Sequence, residues 1–192
     1  VTTAGVMYVH GASSELRMEN VTVQGIQGKA GVGAAVVVGD DGKVGASRCG
    51  FVAIRSTGGG GVVALVGARA VVELVGCNVT DAAVKTETVS RAVLLGGGGV
   101  VLVDGSDADV VLSETIVRES HAPQARGGVL LVTESATRAR VSLNGVVMSE
   151  TSAFAGGAIA VTVPDVGVAA WPQIVLDERT TVSFASATYG GV

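Results

Sequence analysis

The residues best placed to do chemistry in this chain are two histidines, two cysteines and a scatter of aspartates. His10 and His121 each sit beside turn or loop residues. Neither has a cysteine or serine at a spacing that reads as a nucleophile with its base. Asp41, Asp107 and Asp165 each follow a glycine by eight positions, and Asp104, Asp107 and Asp109 crowd one turn. Cleaving a glycosidic bond takes two carboxylates flanking it, about 5 to 9.5 Å apart. Aspartate in a turn is favoured for local hydrogen bonding instead. These residues therefore read as solvated turns, with weak calcium binding as the chemical alternative. The chain has no Gly-x-Ser-x-Gly, no phosphate loop ending in Gly-Lys-Ser/Thr and no His-Glu-x-x-His. Its glycine runs at Gly58–Gly61 and Gly96–Gly99 lack the lysine and helix that a phosphate cradle needs. We expect no catalytic residue, no metal ligand set and no cofactor, and so no enzyme.

Cys49 and Cys77 are too few for a disulfide scaffold or a zinc site. They are 28 residues apart. Two sequons, Asn20-Val21-Thr22 and Asn78-Val79-Thr80, each place the asparagine four residues after a leucine (Leu16, Leu74). The asparagines are glycan acceptors in a secreted protein, or turn residues whose short amides bond locally.

That spacing belongs to a repeat. Six times a glycine is followed by a short apolar run, beginning at Gly5, Gly33, Gly61, Gly99, Gly128 and Gly157, and a seventh begins at Gly191. The intervals are 28, 28, 38, 29, 29 and 34 residues. Each run leads through a polar turn to a second apolar segment, centred on Leu16, Ala46, Leu74, Leu112, Leu143 and Leu176. A weaker third piece and a loop of small residues complete the unit. The runs have the length and valine content of strands, and none keeps a helical period.

A unit this short cannot bury its own apolar face and must stack on copies of itself. A propeller blade needs about 40 residues and four antiparallel strands. The remaining geometry is a right-handed single-stranded parallel β-helix of about six coils, roughly 29 Å long at the strand spacing. Glycine then stacks on glycine where each coil turns into its first strand. Met7, Ala35, Val63, Val101, Leu130 and Ile159 form one inward column, and Val9, Val37, Leu65, Val103, Val132 and Val161 a second. Cys49 and Cys77 lie on top of each other, either as two buried thiols or as a disulfide between coils. Residues 1–192 form one β-helix segment in this reading.

Composition narrows the partners. The net charge of −4 and the lack of a Lys/Arg cluster larger than Arg138 with Arg140 argue against nucleic acid. Six aromatics leave little for base stacking. No stretch reads as a membrane span, since the most apolar one, 58–79, carries Arg69 and Glu73. The chain opens on Val1 without a basic and then apolar leader. It is expected to be a processed or excised piece of a longer solenoid, or to dock end-on to another chain.

Gly156-Gly157-Ala158-Ile159, with Gly98-Gly99-Val100-Val101 and Gly127-Gly128-Val129-Leu130, resembles the repeat of polymorphic outer-membrane proteins and of other right-handed β-helices of the pectin-lyase-like superfamily. The resemblance runs from Gly5 to Val192. The Phe-x-x-Asn half of the polymorphic-protein motif is absent, because Phe51 is followed by Val-Ala-Ile and Phe154 directly precedes Ala155 and the glycine pair.

The resemblance implies an extracellular or cell-surface rod module that scaffolds, spaces or adheres. Its partners would be neighbouring β-helix segments of the same or another surface protein, and a carbohydrate or matrix ligand. The alternatives are a carbohydrate-active enzyme, marked by a cleft with three or more charged side chains stacked on one face, and an adhesin passenger binding through inserted loops. Insertions on a solenoid often carry binding. The ten extra residues of the third interval fall around Asp81 to Leu95, and a second insertion lies near Pro164 to Pro172. Lys85, Glu87, Arg91 and Trp171 are therefore the expected contact residues.

Overall fold

The computed structural model describes residues 3–28, 32–85, 97–162 and 170–189. Every described regular element is a strand, and every strand pair is parallel. The first sheet stacks β1 (Thr3–Val9), β4 (Val32–Val38), β7 (Val63–Leu65), β10 (Val101–Val103), β14 (Leu130–Val132) and β18 (Ile159–Val161). The second stacks β2 (Glu15–Glu19), β5 (Lys43–Ser47), β8 (Val71–Val75), β11 (Asp109–Ser113), β15 (Arg140–Asn144) and β19 (Gln173–Leu176).

The third sheet is longer along the chain. It contains β3 (Thr22–Gln24), β6 (Gly50–Ser56) and β9 (Asn78–Val84), then β12 (Ile116–Arg118) with β13 (His121–Arg126), β16 (Val147–Ser149) with β17 (Ser152–Ala155), and β20 (Thr181–Ser183) with β21 (Ser186–Tyr189). Each chain passage therefore visits three faces and returns one strand further along the axis. This is a parallel β-helix.

The interior is dry because successive coils bring like residues together. Val36, Val63, Val101 and Leu130 pair along the first sheet, as do Val38, Leu65, Val103 and Val132, and all are fully buried. Leu74, Leu112 and Leu143 pair along the second. Phe51 and Val79 stack on the third, with Val117 and Met148 continuing the column. At about 25 cal/mol per Å² of apolar surface removed from water, these ladders supply the main favourable term.

The glycine column has a steric cause. Gly61, Gly99, Gly128 and Gly157 stack at the corner before the first sheet. A Cβ built on Gly61 or Gly99 would overlap the carbonyl of the next glycine in the column. The residue before each takes the left-handed conformation, with φ near +60° at Gly60, Gly98, Gly127 and Gly156.

Several expected registers are corrected. In the second coil Val36 and Val38 stack on Val63 and Leu65, not Ala35 and Val37. The run from Ala34 to Val38 is apolar throughout, so alternation could not choose between its two faces. Val37 instead points outward with Ala64, Leu102 and Leu131, and this second ladder is also buried, at 0–3% exposure. The first sheet is thus buried on both faces from β4 to β14, while Tyr8 and Val6 on β1 stay exposed.

In the first coil Met18, not Leu16, pairs with Ala46. That slip of two residues keeps the same face. The supposed insertion also begins later than Asp81, because Asp81–Val84 complete β9 and pair with β6.

Candidate functional site

The corners between sheets carry much of the ionic chemistry, and left-handed backbone puts it there. Between the first and second sheets, Asp41, Arg69, Asp107 and Arg138 have φ of 56°, 56°, 54° and 57°. The first three hydrogen-bond through the backbone to the next coil, Asp41 N–H to Ala68 O, Arg69 N–H to Ser106 O and Asp107 N–H to Thr137 O. One residue per coil therefore forms a column whose charge alternates. Arg69 grips Asp41 with two bonds of 2.6 and 2.8 Å, and Arg138 grips Asp107 with 2.6 and 2.5 Å. Both aspartates are held below the usual carboxylate range, chiefly by the guanidinium hydrogen bond. Asp104 accepts from Thr133 Oγ1 at 2.5 Å. Asp41, Asp104 and Asp107 are thus partners of the neighbouring coil, while Asp109 is exposed at the start of β11. Asp165 lies outside the described residues.

The sequons are not equivalent. Asn20 is a corner residue at φ 54°, in one column with Arg48, Gly76 and Glu114. Asn78 opens β9 and pairs with Gly50 and Ile116. Both are exposed. The leucine count misled because the equivalent of Leu74 is Met18, two residues after Leu16.

The cysteines do stack. Gly50 pairs with Asn78, so Cys49 and Cys77 just before them occupy one column, and both are free thiols at 2% and 1% exposure. Burial pushes the Cys77 thiol up.

Three places could in principle act on a ligand. The second sheet's outer surface has a groove of about 500 Å³ lined by Glu15, Arg17, Glu19, Gly45, Ser47 and Glu73, among others. Gly45 opens it, having no side chain between Arg17 and Glu73 in the same outward column. Arg17 holds Glu15 at 2.8 Å and Arg48 holds Glu19, while Glu73 has no ion-pair partner among the described residues.

At the first coil, Tyr8 and His10 stack, centroids 5.9 Å apart, over Gly39, where a Cβ would strike both.

On the third sheet, His121 Nδ1 lies 2.8 Å from Ser152 Oγ. They are directly paired residues of β13 and β17, beside a bulge in which Pro123, Gln124 and Ala125 interrupt the register. Sequence reasoning missed this pair, although 31 residues is one coil. The contact is a hydrogen bond in which the donor is set by the imidazole tautomer. The Ser152 backbone N–H already donates to Ser120 O, so it is not a free donor for an oxyanion.

Of the expected contact residues, Lys85 follows β9 and is exposed, and Trp171 is 57% exposed. Trp171 stands two positions before Gln173, as Arg138 stands two before Arg140, but it lacks the left-handed backbone of the Asp41–Arg138 column. Glu87 and Arg91 lie outside the described residues. No group of three or more His, Cys, Asp or Glu suited to a metal ion occurs among the described residues. No helix there is long and apolar enough to cross a membrane. No protein-family model, curated protein or solved structure matches the chain.

Proposed function

We propose that this chain is a non-catalytic rod module of an extracellular or cell-surface protein, serving to space, scaffold or adhere. The observation that carries the reading is where the charged side chains go. Arg48 meets Glu19, Arg55 meets Asp81, Arg69 meets Asp41, and Arg138 meets Asp107, each pair joining adjacent coils. These groups tie the stack together along its axis instead of converging on a reacting bond. The glycine pairs at Gly98, Gly127 and Gly156 support a kinship with adhesin-type and pectin-lyase-like β-helices. Partners of this class of rod are other β-helix segments and matrix or carbohydrate ligands, with Lys85 and Trp171 among the contacts and Asn20 and Asn78 as glycan acceptors.

A second reading, a carbohydrate-active enzyme, has the groove around Gly45 in its favour, since Glu15, Arg17, Glu19 and Glu73 line one face.

Two measurements test the proposal. Labelling of intact cells with a membrane-impermeant amine reagent should mark the native protein, and labelling only after lysis overturns the surface assignment. Incubation with a panel of acidic polysaccharides should yield no product. Turnover that disappears in Glu73→Gln would establish the enzyme instead.

A further inference from the structure

We infer that Cys49 and Cys77 are a reversible covalent staple between the second and third coils, closed by disulfide exchange and, when open, replaced by thiol hydrogen bonds. The inference rests on the fold alone and stands whichever function above is correct.

The geometry is that of neighbouring rungs. Asn78 N–H donates to Cys49 O at 2.8 Å, which holds the two cysteine backbones side by side. Adjacent parallel strands lie about 4.8 Å apart. That is inside the Cα separation of about 4.4–6.8 Å over which disulfides form. The sulfur of Cys77 already leans toward the second coil, lying 3.4 Å from Ala46 O there and 3.6 Å from Val75 O on its own coil. Cys49 Sγ lies 3.3 Å from Ser47 O.

The next coil shows what the open state does. Thr115 is the following member of this column, because Ile116 pairs with Asn78. Its hydroxyl lies 3.2 Å from Leu74 O on the previous coil and 3.0 Å from Ser113 O on its own. Those are the same two carbonyl positions that Cys77 uses. At these two coils the corner leaving the second sheet holds a small donor, thiol or hydroxyl, whereas Val21 and Val146 fill the same column in the first and fifth coils. Only where two thiols are adjacent can the donors be exchanged for a covalent bond.

The chemistry needs one co-reactant, a low-molecular-weight disulfide. The thiolate of one cysteine attacks it, the small S–S bond breaks, and one half leaves and takes up a proton as a thiol. The second cysteine, deprotonated in turn, attacks the mixed disulfide and expels the other half. The two protein thiols lose two electrons and two protons, and the small disulfide becomes two thiols. Because both sulfurs are buried, the exchange occurs when the corner opens or while the chain is folding.

The test refolds the protein in buffers of graded reduced and oxidised glutathione. Samples are then quenched in acid, alkylated and weighed by intact mass spectrometry. The expected product is a monomer lighter by two hydrogens, restored by dithiothreitol. Closing a loop of about one coil should raise Tm by roughly 5–15 °C. Cys77→Thr copies Thr115, so it should fold like the reduced protein and show neither effect, and Cys49→Ser should agree. Two alkylatable thiols at every ratio would overturn the inference. So would a product that is only a glutathione adduct or an intermolecular dimer, or a closed form that melts below the open one.

Discussion

Leu112→Ala is the sharpest test of the stacked interior. Leu112 is fully buried on β11, paired with Leu74 on one side and Leu143 on the other. Truncation to alanine removes three carbons from the dry interior, about 2.4 kcal/mol at ~0.8 kcal/mol per methylene. The void left behind adds up to ~2 kcal/mol more where neighbours cannot collapse into it. Here they cannot, since both flanking strands are held at the ladder spacing by backbone hydrogen bonds along all five residues of β11. The expected cost is about 4 kcal/mol, a large part of the ~5–15 kcal/mol that keeps an ordinary domain folded. Val111→Ala, one residue away but pointing outward and only partly buried, should cost about 1 kcal/mol or less. Equilibrium urea unfolding followed by circular dichroism measures both, with an unchanged m-value as the check that only stability moved. A loss below ~1.5 kcal/mol for Leu112→Ala, or a Val111→Ala cost equal to it, would refute the inward and outward assignment on which the ladder rests.

Other outcomes follow from the same structure. Leu131→Ala should destabilise as much as Leu130→Ala, by about 3–5 kcal/mol each, because the outward Leu131 is 1% exposed; a near-neutral Leu131→Ala in urea unfolding would remove the second apolar ladder. Gly67→Ala should abolish folding or lower Tm severely, since its Cβ would overlap the backbone of Gly39 and Asp40, whereas Gly45→Ala meets nothing within 4 Å and should leave Tm unchanged. Equal effects at the two glycines would contradict the close approach at the Gly67 corner.

Acid should weaken the last turns through Asp177. The Gly145 N–H, with Thr180 and Arg179, holds this carboxyl down to about 2. The unfolded chain therefore takes up the proton first, so the stabilisation is complete above about pH 5 and is lost as pH falls from about 4 toward 2. Asp177→Asn should flatten that part of the urea-midpoint against pH curve. An unchanged slope would assign it elsewhere.

The sequence by itself determined the architecture. Glycine followed by four or five apolar residues, returning every 28 or 29, permits little but a stack of parallel coils, and Gly61 over Gly99 over Gly128 is what the structure shows. It also placed Cys49 over Cys77. What it could not decide was register within uniformly apolar runs. Ala34 to Val38 offers hydrophobic side chains to both faces, so only the neighbouring strand shows that Val36 points in and Val37 out.

The corners were equally hidden. Left-handed residues there are Asp41, Arg69, Asp107 and Arg138, with no glycine to mark them. Their pairing depends on partners about one coil away on an exposed edge, where no hydrophobic period records it. The alignment of His121 with Ser152, one coil of 31 residues apart and 2.8 Å from each other, is likewise not recorded in a hydrophobic period. Burial follows from local pattern because it needs only a repeated side-chain type. Polar contacts depend on the alignment of two particular residues, and that alignment exists only once the coils have stacked.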